Sequence, residues 1–361
     1  MSCLRRPLPR CARSDMTAFT ATVPGRVNLI GEHTDYNGGM VLPAALSVSL
    51  TATLIPREDR RVGVSARGYP GSAERSLDEA AQGHWSDPAV GAVREANALG
   101  LLHGGASLSI RSTIPAGSGL SSSAALIVAI LKAAREAAES DIPDLDLAVA
   151  ARRVENDYIG VPCGIMDQVA VAVARPGEAI ALDTATLEYS LVTLPDSHSM
   201  IVIHSGYSRK LTDGRYKARK EECDAARLAF GREAICTLDP SEIEAATGID
   251  ETIRRRARHC ATEHRRVIAA REAIDRGDMA VFGALMNASH ISMRDDFEMS
   301  TPPIDALVAD AVELGSTGAR LTGGGFGGCI VACVSSRQRE EWQARLVERH
   351  PKARYIAHIG G

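Results

Sequence analysis

The run IPAGSGLSSSAALIVAIL (114–131) constrains the fold more than any other part of the chain. It leads from a strand-like segment, through a loop with Gly117 and Gly119, into a helix whose first turns are apolar on nearly every side. Such a helix has no face suited to water, so we expect it to be buried. With 45% apolar residues, the chain can supply the core that surrounds it.

The order of the other patterns indicates the fold class. At 361 residues the chain exceeds what one hydrophobic core usually fills, so we expect two domains or one large α/β unit. Strand patterns occur early and late in the chain, at 19–30, 41–55, 61–66, 106–114, 329–335 and 354–359. Helical patterns lie between them, at 121–139, 145–160, 212–230, 241–276, 278–290 and 302–314. This order predicts an α+β fold rather than a strictly alternating sheet.

The predicted domain boundary lies at LPDSHS, near residue 195, because this segment interrupts two strand-like runs. The N-terminal domain then covers residues 16–195 and the C-terminal domain residues 196–361. Residues 1–15 hold four arginines but lack the apolar run of a secretory signal. We therefore expect these first residues to form a disordered extension.

Composition excludes several classes of protein. A net charge of −4 provides no broad basic field for nucleic acid, and no run of 18 apolar residues could span a membrane. The eight cysteines form no CxxC pairs, which argues against a zinc site or a disulfide scaffold and for reduced thiols in the cytoplasm. The basic run RRRARH (254–259) is expected to be a solvated helix face.

The loop at 114–126 has the features of an anion site. Gly117 and Gly119 free the backbone, whose N–H groups would point with the positive helix end at one place. Serines 121–123 could cap the helix or ligate a metal, and a simple capped turn is the alternative. The loop lacks the lysine of a Walker motif, since the nearest is Lys132, and Ser122 replaces the third glycine of a dinucleotide fingerprint.

A phosphate loop without lysine calls for a divalent cation. Mg²⁺ usually takes one or two oxygen ligands from protein and the rest from phosphates and water. Ser123 and Glu155 are the candidates, with an exposed helix position as the alternative for Glu155. A second glycine run, TGGGFGGC (322–329), precedes a strand rather than a helix, so we expect a tight backbone approach there and not a nucleotide cradle.

Asp167 is the candidate general base. It lies in CGIMDQ (163–168) beside an apolar run, where a carboxylate needs a cation or hydrogen bonds to be stable. Arg26 is the expected partner, and it would also stabilise negative charge on a transferring phosphoryl group. The alternative is that Asp167 caps the start of a helix.

The segment GRVNLIGEHTDYNGG (25–39) ends a strand with Glu32, His33 and Asp35 within four positions. It resembles the signature of the galactokinase family, which belongs with the homoserine and mevalonate kinases among the small-molecule kinases. GLSSSAA (119–125) resembles the ATP loop of these kinases, CGIMDQ their catalytic segment, and RLTGGGFGGCIVA (320–332) their third motif. The order and spacing of the motifs match from about residue 19 to 335.

The resemblance implies a two-domain α+β fold with the active site in the cleft between the domains. It implies ATP-dependent phosphorylation of the C1 hydroxyl of α-D-galactose, with Asp167 as the base and Arg26 as its partner. The sugar would be bound by the signature turn and two later segments, through Glu32, His33, Thr34, Asp35, Gly164 and Tyr216. Tyr207 is the alternative to Tyr216, because both lie in the same segment.

The resemblance also implies the nucleotide site. The loop would wrap the ATP phosphates through Gly117, Ser118, Gly119, Leu120, Ser121, Ser122 and Ser123. Ser123 and Glu155 would ligate Mg²⁺, and Trp85 would cover the adenine ring. The alternatives are a kinase for another sugar, such as arabinose, N-acetylgalactosamine or a uronic acid, and a galactose sensor without catalysis. We expect a cytoplasmic monomer that binds no nucleic acid and no membrane.

Overall fold

The computed structural model describes residues 17–68, 71–115, 117–207 and 214–360. The extension predicted at 1–15 lies outside these described residues. Within them, twelve strands form two sheets, and helices pack on both. The predicted α+β class is therefore confirmed.

The first sheet contains the eight strands from the first half of the described chain. They are β1 (Phe19–Asn28), β2 (Met40–Val41), β3 (Pro43–Pro56), β4 (Arg61–Ala66), β5 (Ser72–Ser76), β6 (Ala106–Ser112), β7 (Glu178–Asp183) and β8 (Tyr189–Thr193). The main path runs β2-β7-β3-β6-β4-β5, with β1 paired to β3 and β8 to β7. The β4–β6 pair is parallel, while the other pairs of this sheet are antiparallel.

Helices cover one face of this sheet. They are α1 (Asp87–Ala98), α2 (Ser122–Ala137), α3 (Asp144–Arg153), which continues as a π-helical turn (Val154–Ile159), and α4 (Met166–Val173). Helix α2 contacts β1, β3 and the other three helices, and its apolar residues from Ala124 to Ala134 are almost all buried. The predicted burial of this helix is confirmed.

The second sheet contains the strands from the second half. They are β9 (His198–His204), β10 (Gly318–Thr322), β11 (Cys329–Ser335) and β12 (Arg354–Ile359), in the antiparallel order β10-β11-β9-β12. The helices of this half are α5 (Arg215–Phe230), α6 (Pro240–Ala245), α7 (Glu251–Asp275), α8 (Met279–Asp295), α9 (Pro302–Glu313) and α10 (Arg339–Arg349). The predicted boundary at 195 falls between β8 and β9.

One hydrophobic core extends across both sheets. It contains the α2 side chains together with Val202 of β9, Val331 of β11, Ile359 of β12 and Val267 of α7. A second core fills the space between the other face of the second sheet and α5 to α10. The two halves of the chain are therefore packed together through shared apolar side chains.

Two local predictions are wrong. The helix predicted over 241–276 is broken into α6 and α7, and Gly248 lies in the break with a φ of 76°. The basic run 254–259 is not a solvated face, because Arg256 is 1% exposed and His259 is fully buried. Arg256 instead donates to the carboxylates of Glu222 and Glu298. Charged residues at helical spacing can thus be buried when acids from neighbouring elements pair with them.

Two further properties concern the cysteines and the helices of the described residues. All six cysteines in the described residues are free thiols, and Cys3 and Cys11 lie outside those residues. No helix in the described part of the chain is both long and apolar enough to cross a membrane.

Candidate active site

An ion pair between Arg26 and Asp167 lies at the centre of the site. Arg26, on β1, donates from Nε to Asp167 Oδ1 and from Nη2 to Oδ2, each at 2.7 Å. The arginine side chain is 5% exposed and the aspartate side chain 33%, so solvent or a ligand can reach the carboxylate. The alternative that Asp167 caps a helix is wrong, because the residue before α4 is Ile165 and Asp167 lies within the first turn.

The phosphate loop is joined to this pair. Arg26 Nη1 donates to the carbonyl of Gly119 at 2.7 Å, and Ser121 Oγ donates to Asp167 Oδ2 at 2.5 Å. Gly117, Gly119 and Ser121 all have positive φ, which curls the loop ahead of α2. From the sequence alone, the serines of this loop could cap α2. The Ser121 side chain makes no capping hydrogen bond, because its hydroxyl donates to Asp167.

The third motif packs against the back of this loop. A Cβ on Gly323 would lie 3.3 Å from the carbonyl oxygen of Gly119, and one on Gly328 would lie 3.4 Å from that of Ser118. The Cys329 thiol donates to the same Ser118 carbonyl at 3.3 Å. The glycine run therefore lets one backbone approach another closely, as the sequence predicts, and holds the phosphate loop from behind.

The two candidate metal ligands are adjacent. The Ser123 hydroxyl and the side chain of Gln168 both donate to the Glu155 carboxylate, which lies at the π-helical turn after α3. Burial raises the pKa of Glu155, and the hydrogen bond from Ser123 opposes that rise. The alternative of an exposed helix position for Glu155 is therefore wrong. No cluster of three or more His, Cys, Asp or Glu side chains suited to a metal occurs among the described residues.

The signature turn follows β1, and Glu32 is its most buried acid. Its Oε1 accepts from the Gly323 N–H at 2.8 Å and the Thr322 hydroxyl at 3.1 Å. Its Oε2 accepts from Asn28 at 2.9 Å and from Arg320. Four protein donors thus hold this carboxylate within the turn. The contact of Glu32 with a sugar hydroxyl stays a prediction.

Thr34 also has a structural side chain. Its hydroxyl lies 2.9 Å from the carbonyl oxygen of Gly31 and 2.8 Å from that of Met40, inside the turn. The residue is fully buried. The hydroxyl therefore closes the turn, and a sugar contact of Thr34 stays a prediction.

Asp35 is the acid of the turn that faces Asp167. It accepts the N–H of Met166, the first residue of α4, and burial together with the Asp167 charge raises the pKa of Asp35 to about 7. Gly164 allows this position, because a Cβ on Gly164 would lie 1.8 Å from Asp35 Oδ2. The structure therefore brings Asp35 of the signature turn together with Gly164 and Asp167 of the distant segment 163–168.

The aromatic side of the turn contains His33 and Tyr216. The His33 ring lies 5.2 Å from the Tyr216 ring and 4.5 Å from that of Phe297, and His33 Nδ1 is 2.7 Å from the Tyr36 hydroxyl. Tyr207, the alternative to Tyr216, is 42% exposed and its ring lies under Lys352. Tyr216 is thus the tyrosine of this segment that contacts the signature turn.

Trp85 lies just before α1, half-buried against the first core and 5.5 Å from the His84 ring. Its contact with adenine stays a prediction.

Sequence reasoning missed Arg320, Glu263 and Gln168, which hold other site residues in place. The arginine had a detectable signal, since it is the one charged residue of the strand GARLT. Gln168 also had one, because it directly follows Asp167 in CGIMDQ (163–168). Glu263 lies in an ordinary helical pattern and had none.

Three family models match the chain. The galactokinase galactose-binding signature matches residues 12–55, the GHMP kinase N-terminal domain residues 87–175, and the GHMP kinase C-terminal domain residues 270–352. Together with the fold and the loop before α2, they define a small-molecule kinase of the GHMP class.

Comparison with solved structures identifies the family within this class. A crystal structure of Lactococcus lactis galactokinase complexed with galactose matches with a TM-score of 0.90 at 33% identity, covering 95% of this chain and 94% of that one. The chain therefore belongs to the galactokinase family and is an enzyme of that family. Methanococcus jannaschii mevalonate kinase (TM-score 0.68, 17% identity, 97% and 99% covered) and Streptococcus pneumoniae phosphomevalonate kinase (0.70, 12%, 94% and 98%) share the fold.

Proposed function

We propose that the protein transfers the γ-phosphate of ATP to the C1 hydroxyl of α-D-galactose, giving galactose 1-phosphate and ADP. The observation that carries the proposal is that Arg26 hydrogen-bonds both the candidate base and the phosphate loop. One guanidinium bonds both oxygens of Asp167 and the Gly119 carbonyl of the phosphate loop. The acid that would accept a proton is thereby fixed beside the loop that would hold the phosphates.

In this proposal Asp167 accepts the proton of the C1 hydroxyl as that oxygen forms a bond to the γ-phosphorus. The bond between this phosphorus and the bridging oxygen breaks, and its electrons leave with ADP. Arg26 stabilises the negative charge of the transferring group. Asp35, His33 and Tyr216, grouped around the signature turn, are the proposed partners of the sugar hydroxyls.

We also propose that Ser123 and Glu155 hold Mg²⁺. Two adjacent oxygen donors, one of them a buried carboxylate, fit a hard divalent cation. When bound, the cation would neutralise charge on the ATP phosphates. Loop N–H groups and the N-terminus of α2 would hold the remaining phosphate oxygens. We further propose that the enzyme acts as a cytoplasmic monomer.

A panel of sugars assayed with ATP tests the substrate. We expect galactose to be phosphorylated with the highest kcat/KM among galactose, arabinose, N-acetylgalactosamine and galacturonic acid. Faster turnover of another sugar would reassign the substrate, because specificity depends on a few hydrogen bonds. Binding of galactose and ATP without turnover of any sugar would identify a sensor instead.

The Asp167→Asn variant tests the base. We expect kcat to fall by about 10²–10⁴-fold, the range that a positioned general base contributes, with little change in ATP affinity. Asp144→Asn is the matched control, because Asp144 also forms ion pairs, with Lys132 and Arg135, but lies at the start of α3. A near-normal kcat for Asp167→Asn would remove this residue from the role of base.

A further inference from the structure

Arg320 is a fully buried arginine that reaches from the second sheet to the signature turn. It lies on β10, and its side chain is 0% exposed. Nη1 donates to the carbonyl of Leu29 at 3.0 Å and lies 3.4 Å from that of Asn28, at the end of β1. Nη2 donates to the Glu32 carboxylate. One side chain thus contacts both the end of the strand and the turn that follows it.

Glu32 receives its other bonds largely from the same part of the second sheet. Thr322 is the last residue of β10 and Gly323 follows it, and both donate to Glu32 Oε1. Gly323 also lies against the carbonyl of Gly119 in the phosphate loop. The segment 320–323 therefore contacts the signature turn on one side and the phosphate loop on the other.

A second acid, Glu263 of α7, completes the network from behind. Its Oε1 accepts the N–H of Gly31 at 2.9 Å and lies 3.5 Å from Arg320 Nη2. Arg266 donates to its Oε2 at 2.7 Å. Burial raises the pKa of Glu32, and the positive charge of Arg320 opposes that rise.

A buried charge network of this kind is a poor way to gain stability alone, because the desolvation of the ions offsets much of their attraction. Its geometry matters more for position. The turn after β1 has unusual backbone conformations, with a φ of 106° at Gly31 and 61° at His33. Arg320 donates to the Leu29 carbonyl and to the Glu32 carboxylate, and Glu263 accepts the N–H of Gly31, so the network holds this stretch at Leu29, Gly31 and Glu32.

We propose that Arg320 is a positioning residue for sugar binding, acting through Glu32 and the end of β1 to hold His33 and Asp35 in place. This inference rests on the proposed function for its assay. It assigns Arg320 no contact with the sugar or the phosphates. The effect of losing Arg320 should therefore fall on the KM for galactose more than on kcat or on the KM for ATP.

The experiment uses Arg320→Met, Arg320→Lys and Glu32→Gln, alone and as the Arg320→Met/Glu32→Gln double variant. We expect Arg320→Met to raise the galactose KM at least tenfold and to change kcat less than threefold. Arg320→Lys, which keeps the charge, should recover part of the loss and also serves if the methionine variant does not fold. The double variant should be no worse than the poorer single variant, because both residues belong to one network.

The control is Arg75→Met, which removes another buried arginine paired with two acids, Glu79 and Asp87, on β5. It should lower the melting temperature without raising the galactose KM. Arg320→Met with the same lowered melting temperature and an unchanged KM would overturn the inference. Multiplicative effects in the double variant would also overturn it, because Glu32 would then act on the sugar independently.

A readout without substrate separates this inference from the proposed function. Amide hydrogen exchange at Gly31 to His33 should be faster in Arg320→Met than in wild type or Arg75→Met, whichever sugar the enzyme uses. Unchanged exchange would contradict the positioning role. An inactive wild-type enzyme in the sugar panel would contradict the proposed function and leave this exchange result to decide on Arg320.

Discussion

Gly164 shows how a single hydrogen atom in place of a side chain shapes the site. A Cβ there would lie 1.8 Å from one carboxylate oxygen of Asp35 and 2.2 Å from its carboxyl carbon. Gly164→Ala must therefore displace Asp35, and we expect the galactose KM to rise at least tenfold. Steady-state kinetics against Gly63→Ala provide the check, since a Cβ at Gly63 meets nothing closer than 3.9 Å. Equal KM values for the two variants would show that Asp35 does not bind the sugar.

Asp35 should make stability depend on pH. Its pKa is raised from 3.8 to about 7, so the folded state holds the proton more tightly than the unfolded state. The resulting stabilisation is complete below pH 4 and is lost as the pH rises through 7. Because solvent screens part of the shift at this half-buried group, we expect a loss on the order of 2 kcal/mol.

Asp35→Asn isolates this contribution, because asparagine does not titrate. Urea unfolding at pH 4.5 and pH 8 should show a smaller decrease in the free energy of unfolding for Asp35→Asn than for wild type. Titrating groups that do not interact with Asp35 cancel in that difference. Identical decreases would mean that Asp35 ionises in its ordinary range.

At the scale of elements, the loop and the start of α2 form one unit with the turn after α3. Ser123 and Glu155, from these two elements, are hydrogen-bonded to each other. We expect Ser123→Ala and Glu155→Gln to raise the Mg²⁺ concentration needed for half-maximal activity at least tenfold, with partial rescue at high Mg²⁺. Asp167→Asn is the control, since its loss of kcat should be equal at every Mg²⁺ concentration. A uniform loss in the first two variants would argue against ligation.

Sequence reasoning succeeded where the determinants are local. The apolar residues of α2 and the glycines before it occur in one continuous run, so burial, loop and helix start could be predicted together. It failed where the partner is distant in sequence. Neither the bonding of Glu32 to Arg320 nor the burial of Arg256 is visible without the fold that brings β10 to β1 and Glu222 to α7. The break at Gly248 was missed because helical patterns continue on both sides of it.

At the scale of the whole molecule, the shared core predicts cooperative unfolding. Val202, Val331 and Ile359 of the second sheet pack in the same cluster as the first-half helix α2. Removing either half would expose this apolar surface to water. We therefore expect one unfolding transition for the full chain, and no cooperative transition for residues 17–195 or 196–360 expressed alone.

The two tryptophans make this measurable. Trp85 lies in the first half and Trp342 in α10 of the second, so Trp85→Phe and Trp342→Phe each leave one fluorescent reporter. Urea transitions of the two variants should coincide after correction for their own stability changes. Separate midpoints would establish two independently unfolding domains.

The contact between Gly164 and Asp35 also bears on how such a sequence can change over generations. The two positions are far apart along the chain, yet one of them owes its lack of a side chain to the other's carboxylate. If Asp35 were first replaced by a residue with a smaller side chain, position 164 could accept residues other than glycine. If Gly164 were replaced first, the intermediate enzyme would be defective. Among related sequences, we therefore expect departures from glycine at 164 to occur only together with a changed residue at 35.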